Sequence, residues 1–208
     1  MNKAILDQAS NYYTSKLLQY GEISLGVDWN SRRAQTIRFD QITKIIAQDP
    51  AQHFSICDYG CGIGDYNNYL RERFCSYDYY GVDISEKMIE AAKRNHPNAQ
   101  FSTSIAVETE FDYLVSSGIF NVKQSVSDAE WTDYIIESIN MFYQHTKKGF
   151  SFNCLTKYSD EDHKKEYLHY ADPLFLFDYC KNNFSRNIAL LHDYELYDFT
   201  ILVRKENS

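Results

Sequence analysis

The chain reads Ile56-Cys57-Asp58-Tyr59-Gly60-Cys61-Gly62-Ile63-Gly64 at the point where a short apolar run meets three glycines at alternate positions. A helix-like segment follows, and then a second strand-like run that ends at Asp83. This order is typical of a βαβ unit that binds the nucleoside end of a cofactor. Glycine lets the backbone approach a ligand where a Cβ would collide. A carboxylate at the tip of the second strand can accept hydrogen bonds from ribose hydroxyls.

The overall charge narrows the range of partners. The 208 residues carry a formal net charge of -8, which argues against a large nucleic-acid surface because phosphate neutralisation needs clustered Lys and Arg. No run approaches the roughly 20 apolar residues that span a bilayer, and the first residues contain no apolar signal core. We therefore expect neither a nucleic-acid partner nor a membrane partner.

The cysteines indicate a reducing compartment. Their number is odd and no pair has CxxC spacing, so neither a disulfide framework nor a zinc site is expected. The five are Cys57, Cys61, Cys75, Cys154 and Cys180. We interpret them as reduced thiols in a cytoplasmic protein that holds no metal.

Two helices are predicted ahead of the glycine stretch, over 3–20 and over 32–47 with Ser31 as the N-cap of the second. From residue 53 onward, strand and helix patterns alternate within a single predicted domain, 1–208. The predicted strands are 53–59, 78–82, 100–103, 111–116, 149–155, 187–192 and 196–204, and the predicted helices are 66–74, 85–95, 130–146 and 174–182. Since only Asp193-Tyr194-Glu195 separates the last two predicted strands, these strands are predicted to form a tight antiparallel hairpin.

Three blocks and the closing hairpin give the chain a family resemblance. The blocks are Asp58-Tyr59-Gly60-Cys61-Gly62-Ile63-Gly64, Gly81-Val82-Asp83-Ile84-Ser85 and 111–118. With them, residues 54–205 resemble the class I S-adenosylmethionine-dependent methyltransferases. The resemblance implies an α/β fold with a Rossmann-like, seven-stranded, mostly parallel sheet, helices on both faces and a C-terminal antiparallel hairpin. It also implies that residues 1–50 form a helical lid.

The resemblance assigns cofactor contacts to particular residues. Asp58, Gly60 and Gly62 would lie beside the methionine portion of S-adenosylmethionine, and Asp83 would bind the ribose hydroxyls. The adenine face would meet Ile84, its edge would meet Ser104 where many relatives have an acidic residue, and Ser117 would lie near the sulfonium.

Arg38, on the helix before the first strand, would give a charge-assisted bond to the cofactor carboxylate, as an alternative to lying on a solvated helix face. The GxGxG spacing differs from the GxGxxG of dinucleotide dehydrogenases, in which a helix N-terminus faces a pyrophosphate.

The segment after the fourth predicted strand restricts the kind of molecule that could accept the methyl group. The segment 118–123 departs from the Asn-Pro-Pro-aromatic pattern of adenine and glutamine N-methyltransferases. A nucleobase or glutamine amide acceptor is therefore not expected. Together with the acidic charge, this favours methyl transfer to O or N of a small polar metabolite.

Several side chains are candidates for contacting that acceptor, and three of them have a plain structural alternative. The catalytic residues stay unassigned, because no histidine or hydroxyl stands in a recognisable catalytic arrangement. The candidates for a general base are His145, His163, His169 and His192. The candidate contacts are Tyr13, Trp29, Asn121, Asn153 and His163. Core packing is the alternative for Tyr13, loop anchoring for Trp29 and simple exposure for His163.

Two other functions stay open at this point. One is a catalytically silent module that binds S-adenosylmethionine. The other is a nicotinamide-dependent oxidoreductase, against which the glycine spacing and the closing hairpin argue.

Overall fold

The computed structural model describes residues 3–22, 31–46 and 52–206. Trp29 therefore lies outside the described residues. The elements are α1 (Lys3–Tyr20), α2 (Arg32–Thr43), β1 (Phe54–Tyr59), α3 (Asp65–Arg71), β2 (Tyr77–Val82), α4 (Glu86–Asn95), β3 (Gln100–Ser102), β4 (Phe111–Ser116), α5 (Asp128–Gln144), β5 (Thr146–Leu155), α6 (Pro173–Asn183), β6 (Asn187–Leu191) and β7 (Asp198–Arg204). A short 3-10 turn, Glu161–His163, lies between β5 and α6.

All seven strands form one sheet in the order β3-β2-β1-β4-β5-β7-β6. Strand β7 runs antiparallel to both of its neighbours, and every other pairing is parallel. The predicted Rossmann-like class is confirmed. Strand order reverses direction at β1, which lies between β2 and β4, and open α/β sheets bind ligands at the carboxyl ends of strands beside such a switch point.

Helices cover both faces of the sheet because its strands are apolar on both sides. Buried side chains of α5 and α6, including Trp131, Ile139 and Leu176, pack on one face. Buried side chains of α2, α3 and α4, including Ile42 and Leu70, pack on the other. The sheet is therefore held rigidly between two helical layers, with its carboxyl edge left for a site.

Local capping chemistry sets several helix boundaries. Ser31 and Ser85 accept hydrogen bonds from the backbone N–H groups of Ala34 and Met88, as expected of N-caps. Helix α5 begins at Asp128, ahead of the predicted start, because Ser127 and Glu130 form a reciprocal capping box.

Several boundaries differ from the prediction: α3 ends at Arg71 rather than at 74, and β5 begins at Thr146 rather than at 149. Helix α2 ends at Thr43, although an apolar pattern continues through Ile45 and Ile46, because those two residues are buried in a turn after the helix. The turn of the final hairpin is longer than predicted, since residues 192–197 lie between its two strands. Within the described ranges, no helix combines the length and apolarity needed to cross a bilayer.

Candidate cofactor and acceptor site

A cavity opens at the carboxyl edge of the sheet, above the ends of β1, β2, β4 and β5. Helices α1 and α2 close it from above, and the segment after β5 closes its far side. The lining residues that carry polar side chains are Tyr13, Gln35, Arg38, Asp58, Tyr59, Asp65, Tyr66, Asp83, Ser117, Asn121, Tyr134 and Tyr167. This is the position that the strand order predicts for a ligand.

The glycine turn after β1 forms the floor of the cavity. Gly60, Gly62 and Gly64 have φ values of 83°, 53° and 89°, a region that residues with a Cβ seldom adopt. The N–H groups of Gly60 and Cys61 donate to the carbonyl of Val82 at 2.7 and 3.0 Å, which ties the turn to the end of β2. A Cβ on Gly60 would collide with Cγ2 of Ile119. The turn therefore requires glycine both for its backbone angles and for space.

Asp83 follows β2 and is fixed by the backbone on two sides. One carboxylate oxygen accepts from the N–H of Gly62 at 3.0 Å, and the other accepts from the N–H of Ser85 at 2.9 Å. Burial raises the pKa of Asp83 to about 6, against the lowering effect of these two bonds. A carboxylate offers about four lone-pair positions, so both oxygens can still accept from a bound diol.

Asp58, at the end of β1, is almost wholly buried, with 4% of its surface exposed. Its carboxylate accepts from the hydroxyl of Tyr79 at 2.6 Å. Burial raises the pKa of Asp58 to about 7; the Tyr79 bond opposes the shift, and the charges of Asp83 and Asp65 add to it. Three carboxylates therefore share one side of the cavity, where a positively charged ligand would be stabilised.

This arrangement predicts a stability gain when Asp58 is replaced by Asn in the cofactor-free protein. The folded pKa lies above the unfolded value, so the native state binds more protons and loses stability as pH rises from about 4 to 7. Asn keeps an oxygen for Tyr79 and removes the buried charge. We expect Asp58→Asn to raise the free energy of urea unfolding at pH 8 by about 1–3 kcal/mol.

The gain should shrink toward zero near pH 4, where the wild-type carboxyl is protonated. Asp178→Asn, at an exposed position on α6, is the matched control and should change stability little at either pH. A lower stability of Asp58→Asn at pH 8 would contradict the electrostatic account of this residue.

Helix α1 crosses the end of β2 directly above Asp83. The Ser10 hydroxyl donates to the carbonyl of Ile84 at 3.3 Å, and the hydroxyls of Thr14 and Ser85 lie 2.8 Å apart. Tyr13 packs against a buried cluster that includes Ile63 and Met88. Hydrogen bonds and apolar contacts thus hold α1 against the part of the cavity beside β2.

The loop after β4 is held from behind by Asn153 of β5. Its side-chain oxygen accepts from the N–H of Gly118 at 2.9 Å, and its amide nitrogen donates to Oγ of Ser117 at 3.0 Å. Asn153 is fully buried and is not among the lining residues of the cavity. This differs from the predicted acceptor contact, because both polar atoms of its side chain are used to position the loop.

Arg38 lies on the cavity wall in a buried ion pair. Its Nε and Nη2 donate to the two oxygens of Asp198 at 3.0 and 2.6 Å. Asp198 opens β7 and faces Leu155 of β5 across the antiparallel ladder. The guanidinium therefore lies on the β5–β7 side of the site, and its predicted bond to a cofactor carboxylate stays a prediction.

The structure brings most of the predicted contacts together and separates others from the cavity. Lining residues from the prediction are Tyr13, Arg38, Asp58, Gly60, Gly62, Asp83, Ile84, Ser117 and Asn121. Ser104 is exposed and away from the described lining, so its contact with an adenine edge stays a prediction.

His163 is exposed on the 3-10 turn, next to Asp162 at 2.9 Å. It does not reach the cavity lining, which differs from its predicted role as an acceptor contact. Asp160, Asp162 and His163 place three potential ligand atoms within 4.8 Å of one another there, all on exposed side chains.

Sequence reasoning missed several residues of the site. Tyr79 reaches Asp58 from the neighbouring strand, and Gln35 donates to Asp65 at 3.0 Å. Tyr167 and Leu168 lie on the wall within the polar segment after β5, where charged neighbours hide them. The only available signal for Tyr79 was its position one strand away from the glycine stretch, and this does not specify a partner.

Comparisons with known proteins agree with the fold. The family description "Methyltransferase domain" matches residues 56–149, from β1 into β5. The Mycobacterium tuberculosis protein named "Putative methyltransferase Rv1506c" is 48% identical over 162 residues, covering 76% of this chain and 96% of that protein. The chain therefore belongs to the class I S-adenosylmethionine-dependent methyltransferase family, and the protein is an enzyme of that class.

Solved structures match the fold at low sequence identity. Magnesium protoporphyrin IX methyltransferase from Synechocystis PCC 6803 with bound S-adenosylmethionine has a TM-score of 0.68 at 14% identity, covering 99% of this chain and all of that one. The N-methyltransferase NodS from Bradyrhizobium japonicum WM9 has a TM-score of 0.65 at 10% identity, covering 96% of this chain and 99% of that one. At such identity these matches establish the fold alone.

Proposed function

We propose that the protein binds S-adenosylmethionine above β1, β2 and β4 and transfers its methyl group to O or N of a small polar metabolite held above β5. The observation that carries this proposal is the pairing of Asp83 with the glycine turn. A rigidly held carboxylate lies beside a stretch of backbone that has no room for a Cβ, and this pairing suits a nucleoside.

The proposed contacts run from the adenine face and the ribose to the methionine portion of the cofactor. We propose that Asp83 accepts from the two ribose hydroxyls and that Ile84 packs on the adenine face. Asp58, Gly60 and Gly62 would hold the methionine portion. Burial, together with the charges of Asp83 and Asp65, raises the pKa of Asp58, so a positive charge nearby would stabilise its ionised form. The ammonium and sulfonium of the cofactor would supply that charge.

When bound, the cofactor supplies a methyl group already activated by a positive sulfur. The remaining task of the chain is alignment. Ser117 and the loop behind it, fixed by Asn153, would set the position of the acceptor relative to that methyl group. Holding two reactants in line can contribute about 7–11 kcal/mol in well-oriented cases, so a rigid loop suffices without an additional chemical group.

Helix α1 is proposed as the lid that excludes water. It lies across the end of β2 through Ser10, Tyr13 and Thr14, all on the face toward the site. Exclusion of water strengthens each electrostatic contact in the site and protects the reactive cofactor. On this proposal the described N-terminal helices and the sheet act as one domain.

The acidic charge favours a small-molecule acceptor over nucleic acid, and the five free cysteines favour the cytoplasm.

The test of the function is calorimetric titration with S-adenosylhomocysteine and, separately, with NADH. We expect tight binding of the first and none of the second. Formation of S-adenosylhomocysteine from S-adenosylmethionine in the presence of small-metabolite mixtures would then separate an active enzyme from a silent module. Binding of NADH alone would contradict the proposal.

A further inference from the structure

Asn121 offers hydrogen-bond donors to the acceptor side of the cavity. Its side-chain oxygen accepts from the N–H of Leu155 at 3.2 Å, which fixes the orientation of the amide because a backbone N–H must face the oxygen. Its backbone carbonyl accepts from the N–H of His169 at 2.8 Å, so the residue is held on both sides. Asn121 lines the cavity, and no described residue accepts from its amide nitrogen. The NH₂ group therefore faces the space above β5.

The neighbouring polar groups are also donors. Oγ of Ser117 already accepts from Asn153, which leaves its O–H to donate. Arg38 lies on the same side with its guanidinium paired to Asp198, which faces Leu155 across the sheet. Donors that converge on one space are complementary to an acceptor molecule that carries oxygen lone pairs.

Groups that could remove a proton are missing from this side of the described lining. The carboxylates that line the cavity are Asp58 near the end of β1, Asp65 at the start of α3 and Asp83 after β2, and all three belong to the cofactor side. No described lining residue is a histidine. Burial raises the pKa of the Tyr134 phenol further above its usual value, so it stays protonated at neutral pH. An ammonium or alcohol acceptor would reach this space with a proton that no described residue is placed to take.

We propose that the acceptor atom is an oxygen of a carboxylate, which becomes a methyl ester, and that Asn121 donates to the other oxygen of that carboxylate. The inference rests on the proposed function and specifies its acceptor. A lone pair of the carboxylate oxygen forms the new O–CH₃ bond while the electrons of the C–S bond pass to sulfur. The sulfonium becomes a neutral thioether and the carboxylate becomes a neutral ester, so no proton is released and no base is required.

The side chains around this space suggest the rest of the acceptor. Val122, Leu155 and Leu168 line the cavity beside Asn121. These apolar walls would hold a hydrocarbon or aromatic portion next to the carboxylate. Their low polarity also favours a step in which two opposite charges cancel.

A matched set of probes tests the proposal by binding. The protein saturated with S-adenosylhomocysteine would be titrated with 3-phenylpropionate, 3-phenylpropylamine and 3-phenylpropanol, which share one scaffold and differ in the head group. We expect the carboxylate to bind about tenfold more tightly than either of the others, as one hydrogen bond to a charged group would give. Equal or tighter binding of the amine, or no measurable binding of the carboxylate, would overturn the proposal.

Asn121→Asp makes the test specific. Aspartate keeps an oxygen for the N–H of Leu155 but replaces the NH₂ donor with a charged oxygen. We expect the preference for 3-phenylpropionate to disappear while the affinity for S-adenosylhomocysteine stays unchanged. Asn183→Asp makes the same change of charge at the exposed end of α6 and should preserve the preference. Unaltered carboxylate binding in Asn121→Asp would also refute the assignment.

Turnover gives an independent readout. With S-adenosylmethionine labelled in its methyl group, a methyl ester product releases labelled methanol in mild base, whereas methyl amines and methyl ethers do not. Release of labelled methanol supports the proposal. A base-stable labelled product would overturn it and leave the methyltransferase function intact, whereas absence of cofactor binding would overturn the proposed function itself.

Discussion

Replacement of Asp83 by Ala is expected to weaken binding of S-adenosylhomocysteine by about 100-fold or more. The reason is the loss of two charge-assisted hydrogen bonds to the ribose, each with an expected value of about 1.5–3 kcal/mol. Calorimetric titration measures the change directly. The variant should also lose some stability, because the N–H groups of Gly62 and Ser85 lose their acceptor.

Asp83→Asn is expected to be nearly as damaging. Each carboxylate oxygen faces a backbone N–H, so an amide must direct its NH₂ group at one of those donors. Asp78→Ala, at an exposed position on β2, is the matched control and should leave the affinity for S-adenosylhomocysteine unchanged. Circular dichroism would establish that each variant is folded. A change of less than about threefold in Asp83→Ala would contradict the assigned contact, since even one such bond exceeds that.

Gly60→Ala is the second substitution with a large expected effect. The alanine Cβ would collide with Ile119 and would also force a side chain onto a backbone with φ of 83°. We expect a loss of about 1–3 kcal/mol in the free energy of unfolding and at least tenfold weaker cofactor binding. Urea unfolding and titration with S-adenosylhomocysteine measure the two effects.

Gly21→Ala separates the two causes. Gly21 has a similar φ of 76°, yet a Cβ there would meet no atom of the described residues within 4 Å. Gly21→Ala should therefore lower the free energy of unfolding only by the cost of its backbone angles, and its cofactor affinity should stay unchanged. The double variant Gly60→Ala/Ile119→Ala should recover part of the lost stability, because the colliding side chain is gone. If Gly60→Ala and Gly21→Ala changed the free energy of unfolding and the cofactor affinity equally, a collision between residue 60 and Ile119 would be refuted.

The parts of the protein that sequence predicted well are those set by local chemistry. The glycine turn, the strand-tip Asp83 and the N-cap Ser85 lie within 30 residues, and the backbone needs that specify them can be seen in the chain itself. The alternation of patterns predicted the order of strands and helices in the same way, and the family resemblance implied their arrangement in one sheet. The turn of the final hairpin was predicted less accurately. The hydroxyls of Tyr194 in this turn and Thr200 in β7 lie 2.9 Å apart, and the local pattern does not reveal this contact.

Contacts between distant parts of the chain could not be predicted in this way. Arg38 and Asp198 are 160 residues apart, and no pattern in either segment identifies the pair. Asn153 was correctly placed near the carboxyl edge but was given an acceptor role. Whether a polar side chain at that edge faces the cavity or supports a loop from behind depends on tertiary packing.

The structure of the complex with S-adenosylhomocysteine tests the central claim most directly. The measured quantity is the distance from the two ribose hydroxyl oxygens to the carboxylate oxygens of Asp83. The account predicts about 2.5–3.0 Å for each, with the adenine beside Ile84. A ribose beyond hydrogen-bonding distance of Asp83, or an adenosyl group bound away from the glycine turn, would contradict it.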